Sequence, residues 1–324
     1  MSSPDDRKSV LITGCSPGGI GHSLALEFQR NGLRVFATAR NKETLVDLKE
    51  KGIEIMSLVV DEGKSVSACL EELKSILGEG KGLDVLVNNA GRNYTVPALD
   101  VDMDEVRQTF ETNIIGVIHM CKVFTPLIIE AKGTIVQIGS VAGMIPYVFG
   151  SVYNATKGAL HSYSDTLRVE LEPFGYVFPY KDSPVKAHQC SPMLIKWFSV
   201  NVVTIMTGGV ESRIARNSRT LAPDSLYQPI RSEYERRVKH SQDKATPNEV
   251  YARRVVTQVL YGPAPWRWIW PWRLSPRKWV WAGSKVTSIY LLSGAWLWVG
   301  VFNYALGRMF NLGKLRNVDV RKLK

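Results

Sequence analysis

The chain has 324 residues, of which 45% are hydrophobic, and a formal net charge of +11 at pH 7. This is enough apolar sequence for one large domain with a buried core. The four cysteines and five histidines show no CxxC pair and no ligand spacing, which excludes a disulfide framework and a zinc site. The basic excess indicates either an anionic partner, such as a phosphate group, or a basic tail beside an ordinary enzyme.

Short apolar runs alternate with longer amphipathic segments, which is typical of a parallel sheet with crossover helices. The pattern predicts a three-layer, Rossmann-type α/β fold, a doubly wound parallel sheet with its functional site at the carboxyl ends of the strands. The predicted strands are residues 9–14, 34–40, 53–61, 83–91, 133–140, 200–207 and 278–284. The predicted helices are residues 20–32, 102–132 and 151–175.

The domain boundary is predicted where the composition changes. Residues 1–262 form the predicted catalytic domain, and residues 263–324 form a separate C-terminal segment. The N-terminus leads into the first strand without the apolar stretch of a signal peptide. We therefore expect a protein that faces the cytosol and keeps its cysteines reduced.

The segment TGCSPGGIG, from Thr13 to Gly21, joins the first strand to the first helix. Glycines at such a turn let the backbone approach a pyrophosphate, and the amino terminus of the helix faces its charge. The segment predicts a nucleotide site, and the alternative is a tight turn that binds no ligand. The candidate contacts are Ile12, Gly14, Ser16, Gly19, Ile20 and Gly21.

The ends of the next three strands complete the predicted cofactor site. Arg40 ends the second strand, where a carboxylate would favour NAD, and its guanidinium suits the 2′-phosphate of NADPH. The alternative is an ordinary surface arginine. Asp61 closes the third strand and is predicted to accept a hydrogen bond from the adenine amino group. Asn88, Ala90 and Gly91 end the fourth strand, where small residues let the backbone lie against the cofactor.

Asn113, Ser140, Tyr153 and Lys157 follow one another in an order that predicts a proton-transfer site. Tyr153 and Lys157 are four residues apart on one helix and share a face. A free tyrosine has a pKa near 10, and a neighbouring ammonium together with a nicotinamide ring would favour its phenolate. Tyr153 is predicted to transfer the proton and Ser140 to hold the substrate oxygen. Alone, a Tyr and a Lys at this spacing commonly form a surface pair, and the ordered set favours the catalytic interpretation.

These motifs resemble the short-chain dehydrogenase/reductase superfamily, in the subgroup with a Y-x-x-x-K active site, from about residue 10 to about residue 216. The resemblance implies that Lys157 also holds the nicotinamide ribose and that Asn113 anchors a water linking Lys157 to solvent. It also implies that Val210 and Ser212 follow the carboxamide end of the cofactor. Lys122 either approaches the cofactor or has a structural role.

The chain departs from the family pattern at two places. The glycine loop has one extra residue, which leaves open which roles Gly18 and Gly19 take. After the sixth strand, Thr207, Gly208 and Gly209 stand where the family commonly has Pro-Gly. Within the superfamily, the motifs are most similar to fungal NADPH-dependent 1-acyldihydroxyacetone-phosphate reductases and to reductases of fungal secondary metabolism. The resemblance therefore implies an NADP(H)-dependent enzyme that reduces a small-molecule or lipid ketone to a secondary alcohol.

Two other functions are open at this point. One is a protein that binds NADP without turnover, and the other is an alcohol-oxidising enzyme, which Arg40 disfavours because NADPH pools usually drive reduction. The family resemblance also implies that the two long helices pair between subunits in a homo-oligomer. No fold motif for nucleic-acid binding occurs in the chain, so we expect no nucleic-acid partner.

Residues 176–199 interrupt the pattern between the Tyr153 helix and the sixth strand. Loops of this length are uncommon within a compact domain, and removal of the stretch would join EPFG directly to VNVVTIMT. We interpret it as the product of a retained intron, because its codons can encode fungal donor, branch and acceptor signals. The alternative is a genuine surface loop on the side of the sheet opposite the active site.

The C-terminal segment combines tryptophans with basic residues and a long uncharged stretch. Residues 266–281 carry six tryptophans among arginines and a lysine, and residues 286–307 carry no charge. About 20 apolar residues suffice to cross a bilayer, and tryptophan with basic residues is typical of a membrane interface. The segment predicts a membrane-associated helix, a core helix covering the substrate pocket, or a protein-binding surface. The first would place the protein at the endoplasmic reticulum membrane or a lipid droplet, and the others in the cytoplasm.

Overall fold

The computed structural model describes residues 5–171, 174, 200–212, 219–262, 279–293, 306 and 308–311. These residues form a seven-stranded sheet in the order β3-β2-β1-β4-β5-β6-β7, in which every neighbouring pair is parallel. The predicted doubly wound parallel sheet is therefore confirmed, including its seventh strand. The strands are β1 Ser9–Ile12, β2 Arg34–Ala39, β3 Glu54–Ser57, β4 Val85–Asn88, β5 Thr134–Ile138, β6 Asn201–Thr207 and β7 Trp279–Ala282.

Helices cover both faces of this sheet. Along β1, Val10 and Ile12 pack in one apolar cluster and Leu11 packs in the other, as the alternation of side chains along a strand requires. Strands buried on both faces are near-continuous apolar runs, which is why SVLI and VLVN contain few polar residues. The helices are α1 Ile20–Arg30, α2 Val46–Glu50, α3 Gly63–Leu77, α4 Met103–Phe110, α5 Gly116–Ala131, α6 Ser151–Leu171, α7 Arg231–His240, α8 Asn248–Tyr261 and α9 Val286–Ser293.

The long helix predicted at 102–132 is continuous but contains a π-helical turn. Asp102 caps its N-terminus through side-chain hydrogen bonds from the amides of Asp104 and Glu105. Residues Glu111–Ile115 form the π turn between α4 and α5. By length and composition alone, Met103–Ala131 is the one helix within the described residues that could cross a membrane. Its apolar face packs on the sheet through residues such as Phe124 and Ile128, as in a core helix.

The third strand is shorter than predicted. It ends at Ser57, and the amide of Leu58 still donates to the Ala39 carbonyl before the chain leaves the sheet. Asp61 therefore lies in the loop before α3 and does not close the strand, which corrects the predicted position. The apolar run from Leu58 to Val60 misled the prediction, because Leu58 and Val60 bury their side chains as well as strand residues do.

Part of the C-terminal segment packs on the catalytic domain. Ile289 of α9 is buried with Leu306 and Phe310 against Ile145 and Tyr147, which lie in the segment between β5 and α6. This packing places α9 against the segment between β5 and α6. The inserted stretch 176–199, the tryptophan-rich residues 263–278 and most of residues 294–307 lie outside the described residues.

Candidate active site

The predicted site residues meet at one edge of the sheet. The strands are parallel, so the loops after β1, β2, β4, β5 and β6 all leave from this edge. A crevice at the carboxyl ends of such strands is where ligands bind in doubly wound sheets. The glycine loop, the residues after β4 and the Tyr153 helix are thereby brought together.

The glycine loop turns the chain from β1 into α1. The Cys15 amide donates to the Thr38 carbonyl at 2.8 Å, which fixes the start of the loop against β2. Gly18 has φ +70°, a left-handed conformation that favours glycine, and Gly19 is the extended N-cap of α1. The roles of the two glycines are thus separated: Gly18 makes the turn, and Gly19 starts the helix whose amino terminus faces the crevice.

Thr13 and Asn89 fasten the glycine loop to the end of β4. The Thr13 hydroxyl accepts from the amides of Asn89 and Ala90, both at 2.9 Å. The Asn89 amide group donates back to the carbonyls of Thr13 and Gly14, at 2.8 and 2.9 Å. A Cβ on Gly21 would lie 2.5 Å from Asn89 Nδ2, so this position has no room for a side chain. The loop is a rigid, backbone-lined cradle.

Arg40 and Asp61 lie at the outer end of the crevice. Arg40 directly follows β2, is exposed and has no carboxylate partner among the described residues. The Asp61 carboxylate accepts from the Thr112 hydroxyl at 3.0 Å, so it is placed close to the turn that holds Asn113. An unpaired guanidinium beside a glycine cradle fits a nucleotide that carries an extra phosphate.

Lys122 is not brought to the site. It is exposed on α5, nine residues after Asn113. At about 100° per residue, nine residues place the two side chains on roughly opposite sides of the helix. The alternative structural role is therefore the one that the geometry favours for Lys122.

Asn113 occupies the π turn and is buried. Its Nδ2 donates to the Arg92 carbonyl at 2.9 Å and to the Thr156 hydroxyl at 3.1 Å, and its Oδ1 accepts from the Arg92 amide at 2.8 Å. It therefore ties the loop after β4 to α6, directly beside Lys157. π turns occur frequently at functional sites. The water that Asn113 is expected to anchor stays a prediction.

Ser140 follows β5 and is held by a histidine that the sequence did not reveal. The Ser140 amide donates to His161 Nε2 at 3.3 Å, and its hydroxyl accepts from the Ala142 amide at 3.2 Å. A Cβ on Gly139 or Gly143 would lie 2.7 Å from the imidazole ring. Burial lowers the pKa of His161 to about 4, so the ring is neutral and Nε2 accepts. Its spacing could have identified it, because His161 follows Lys157 by four residues and therefore shares its face of α6.

Tyr153 and Lys157 lie on the first turns of α6, as predicted. Lys157 is buried, its Nζ donates to the Ile138 carbonyl at 2.8 Å, and it lies 5.7 Å from the centroid of the Tyr153 ring. Burial lowers the pKa of Lys157 to about 8. The Ser140 hydroxyl is close enough to Tyr153 to lower the pKa of its phenol. The site thus presents a phenol, a serine hydroxyl and a buried amine around one point.

The acidity of Tyr153 differs from the prediction. Burial raises its pKa above the ordinary value, and the groups that counteract burial are the Ser140 hydroxyl and the charge of Arg237. Lys157 was expected to lower this pKa together with the nicotinamide ring, but burial lowers the pKa of Lys157 itself to about 8 and so disfavours its ammonium form. The protein's own groups therefore favour the protonated phenol, which is the form that can act as an acid.

The end of β6 carries the last predicted contacts. Val210 is buried in the core, where it pairs with Thr246 in an isolated bridge, and the Ser212 amide donates to the Gln242 side chain at 3.1 Å. Thr207, in the place of the family's proline, has its hydroxyl 2.7 Å from the buried Tyr251 hydroxyl. These contacts place the backbone of residues 207–212 at the crevice edge.

The sequence and the fold are similar to those of known proteins. A family model described as short chain dehydrogenase matches residues 8–178. The short-chain dehydrogenase virD of Hypocrea virens is 36% identical over 322 residues, covering 98% of each chain. The NADPH-dependent 1-acyldihydroxyacetone phosphate reductase of Schizosaccharomyces pombe is 38% identical over 230 residues, covering 69% of each. The crystal structure of a short-chain dehydrogenase from Streptomyces avermitilis has the same fold, with a TM-score of 0.67 at 22% identity, over 98% of this chain and 100% of that one.

Proposed function

Because the chain belongs to the short-chain dehydrogenase family, whose members are oxidoreductases, we propose that it reduces a ketone to a secondary alcohol with NADPH. One observation carries the proposal: Ser140, Tyr153 and Lys157 lie close together at the edge of the sheet that also carries the glycine loop. Arg40 follows β2 at the same edge. The carbonyl would lie between the two hydroxyls, within reach of both.

Each side chain has a defined part in the reduction. When bound, the nicotinamide supplies a hydride to the carbonyl carbon. Tyr153 donates its phenolic proton to the carbonyl oxygen as negative charge develops there, and Ser140 stabilises that oxygen by a hydrogen bond. Lys157 holds the ribose and returns a proton to Tyr153, so that hydride and proton together give the alcohol. A phenol held in its protonated form by burial suits the reducing direction.

The preference for NADPH is proposed from Arg40. Its exposed guanidinium follows β2, where a 2′-phosphate would lie, and no carboxylate competes for it within the described residues. The relative from Schizosaccharomyces pombe is described as NADPH-dependent. Asp61 is proposed to accept from the adenine, because it lies in the loop after β3 on the same edge.

For the substrate, we favour a small carbonyl compound of fungal secondary metabolism. The similarity to short-chain dehydrogenases such as virD extends over 98% of both chains, whereas the similarity to the 1-acyldihydroxyacetone phosphate reductase covers 69%. 1-Acyldihydroxyacetone phosphate is the second candidate, favoured by the 38% identity in the shared part.

The test is NADPH oxidation by the purified full chain with 1-acyldihydroxyacetone phosphate and with a panel of aliphatic and aromatic ketones. We expect turnover with at least one ketone and weak turnover with NADH. Binding of NADPH, measured by its fluorescence, without turnover on any carbonyl or alcohol would support the non-catalytic alternative. Absence of both binding and turnover would overturn the proposal.

The location and assembly of the protein are further proposals. We propose that the C-terminal segment 263–324 contacts a membrane, at the endoplasmic reticulum or a lipid droplet, and carbonate washing of cell membranes tests this. We also propose that α5 and α6 pair between subunits, since Ile118 and Val169 are exposed on these helices. Sequencing of the transcript tests whether residues 176–199 derive from a retained intron.

A further inference from the structure

Arg237 on α7 is a buried cation at the active site. Only 5% of its surface is exposed, and its guanidinium carbon lies 3.4 Å from the centroid of the Tyr147 ring. Its Nε donates to the Val148 carbonyl at 2.9 Å. A Cβ on Gly150 would lie 3.3 Å from Nη2. Arg237 therefore packs on the segment that leads directly into the first turn of α6, where Tyr153 lies.

No carboxylate neutralises this guanidinium within the described residues. Glu233, one turn earlier on α7, is turned to the Ser232 hydroxyl and the Asn311 side chain, which donate to it at 2.7 and 2.9 Å. The residues outside the described ranges contain few acidic groups. Their carboxylate side chains are Glu172, Asp182 and Asp319.

The terminal nitrogens of Arg237 also lack acceptors among the described residues, where Nε is the one donor that is used. A buried guanidinium has five N–H bonds, and buried polar groups are almost always hydrogen-bonded because leaving them unpaired is costly. Stacking on Tyr147 compensates part of this cost but supplies no acceptor. Arg237 contributes none of the enclosed, unpartnered polar atoms of the described residues, so its terminal nitrogens reach open space and are available to an acceptor that enters the site.

The surroundings of Arg237 favour an anionic acceptor. The Tyr147 hydroxyl is hydrogen-bonded to His240, and Lys285 Nζ lies 3.3 Å from the other nitrogen of that ring. Of the charges that act on His240, the cations of Lys285, Arg237 and Arg236 outnumber the carboxylate of Asp243, so this wall of the site has a positive potential. The wall is coupled to the reaction centre, because the charge of Arg237 acts on the Tyr153 phenol.

We propose that Arg237 determines substrate specificity by binding an anionic oxygen group, a carboxylate or a phosphate, on the ketone that the enzyme reduces. This rests on the proposed reduction. The planar guanidinium suits such groups because it donates two parallel hydrogen bonds to them. The substrate would lie with its carbonyl oxygen at Tyr153 and its anionic group at the terminal nitrogens of Arg237.

The experiment compares matched ketones that differ in charge. 3-Acetylbenzoate is paired with its methyl ester, and dihydroxyacetone phosphate with dihydroxyacetone, so that the two arms separate carboxylate from phosphate. The variants are Arg237→Met and Arg237→Lys. The matched control is Arg231→Met, which changes an exposed arginine on the same helix.

We expect Arg237→Met to lower kcat/KM about 10- to 100-fold on the anionic member of one pair, as loss of a charge-assisted hydrogen bond predicts. The neutral member should change less than about threefold, and Arg237→Lys should retain part of the preference. Equal losses on both members would overturn the proposal and assign Arg237 to holding Tyr153. Unchanged kinetics on both would overturn it as well.

A binding measurement separates failure of this proposal from failure of the proposed reduction. The anionic probes 3-acetylbenzoate and inorganic phosphate are titrated calorimetrically into NADP-loaded protein. Suppose that no ketone is reduced, but that one probe binds the wild-type protein and binds Arg237→Met at least tenfold more weakly. This result would support the anion site and count against the proposed reduction alone. Equal binding, or no binding, of both probes to the wild type and the variant overturns the anion site.

Discussion

The cofactor side of the molecule, residues 9–91, and the substrate side, residues 200–212, 219–262 and 279–293, hold their functional groups in different ways. On the cofactor side, backbone groups dominate: Thr13 and Asn89 bond main-chain amides and carbonyls, and Gly21 leaves no room for a side chain. On the substrate side, long side chains reach across the fold, as Arg237 reaches Tyr147. Geometry made by the backbone restricts residue types and therefore leaves motifs, whereas contacts between side chains of elements far apart in the sequence leave no motif.

Substitution of Tyr153 tests the point where the two sides meet and has the largest expected effect. Tyr153→Phe removes the proton donor and keeps the ring, so kcat/KM should fall about 10²- to 10⁴-fold, the usual contribution of a general acid. NADPH binding, followed by fluorescence, should stay within twofold of wild type by our expectation. A variant that keeps its rate would refute the assignment of Tyr153 as the acid.

His161 ties Ser140 to α6 and predicts a dependence of stability on pH. Its pKa is about 4 in the folded protein and 6.5 in the unfolded chain. Between these values the unfolded chain binds the proton, so acidification favours unfolding by up to about 3 kcal/mol as the pH falls from 6.5 to 4. The measurement is urea unfolding across this pH range.

The matched variants for this prediction are His161→Gln and His119→Gln. His161→Gln should remove most of the loss of stability that protonation of His161 causes below pH 6.5. His119→Gln changes a partly exposed histidine on α5 and should show the same loss as the wild type. Parallel pH profiles of wild type and His161→Gln would contradict the buried, neutral imidazole.

Arg40 tests whether the cofactor side selects its nucleotide by one side chain. Arg40→Ala should raise KM for NADPH about 10- to 100-fold, equivalent to roughly 1.4 to 2.7 kcal/mol, and leave KM for NADH nearly unchanged. Lys42→Ala, which changes an exposed cation two residues later, is the control. Equal effects of both variants would indicate a general electrostatic attraction without recognition of the 2′-phosphate.

The smallest effect is expected for a substitution on the substrate side that lies outside the proton-transfer site. Tyr251→Phe removes a buried hydroxyl that is 2.7 Å from Thr207 Oγ1, so the free energy of unfolding should fall by about 1 kcal/mol. Tyr261→Phe, at an exposed position of the same helix, should change it by less than about 0.5 kcal/mol. Similar losses in both variants would deny Thr207 a specific role at the end of β6.

The sequence predicted the sheet, the cofactor cradle and the position of the proton-transfer residues. It succeeded because Tyr153 and Lys157 are related by helical spacing and because the glycines mark places where backbone approaches backbone. It placed Asp61 at the end of a strand, because Leu58 to Val60 are as apolar in a buried loop as they would be in a strand.

The electrostatics of the site required the structure. The direction of the Tyr153 pKa depends on burial and on Arg237, which is 84 positions away in the sequence. In the sequence, Arg237 is one of several basic residues in the segment RSEYERRVKH, and its spacing does not indicate that it is buried. Contacts between elements that are distant in sequence produce no periodic pattern. The residues that determine substrate specificity could therefore not be predicted from the sequence.

The imidazole of His161 fills the volume that side chains at two neighbouring positions would occupy, since a Cβ on Gly139 or Gly143 would meet its ring at 2.7 Å. These three positions therefore form one evolutionary unit. Among relatives, replacement of the histidine by a smaller residue should be accompanied by alanine or serine at one of the glycines. A homologue that keeps the histidine should keep both glycines, whatever substrate it has come to use.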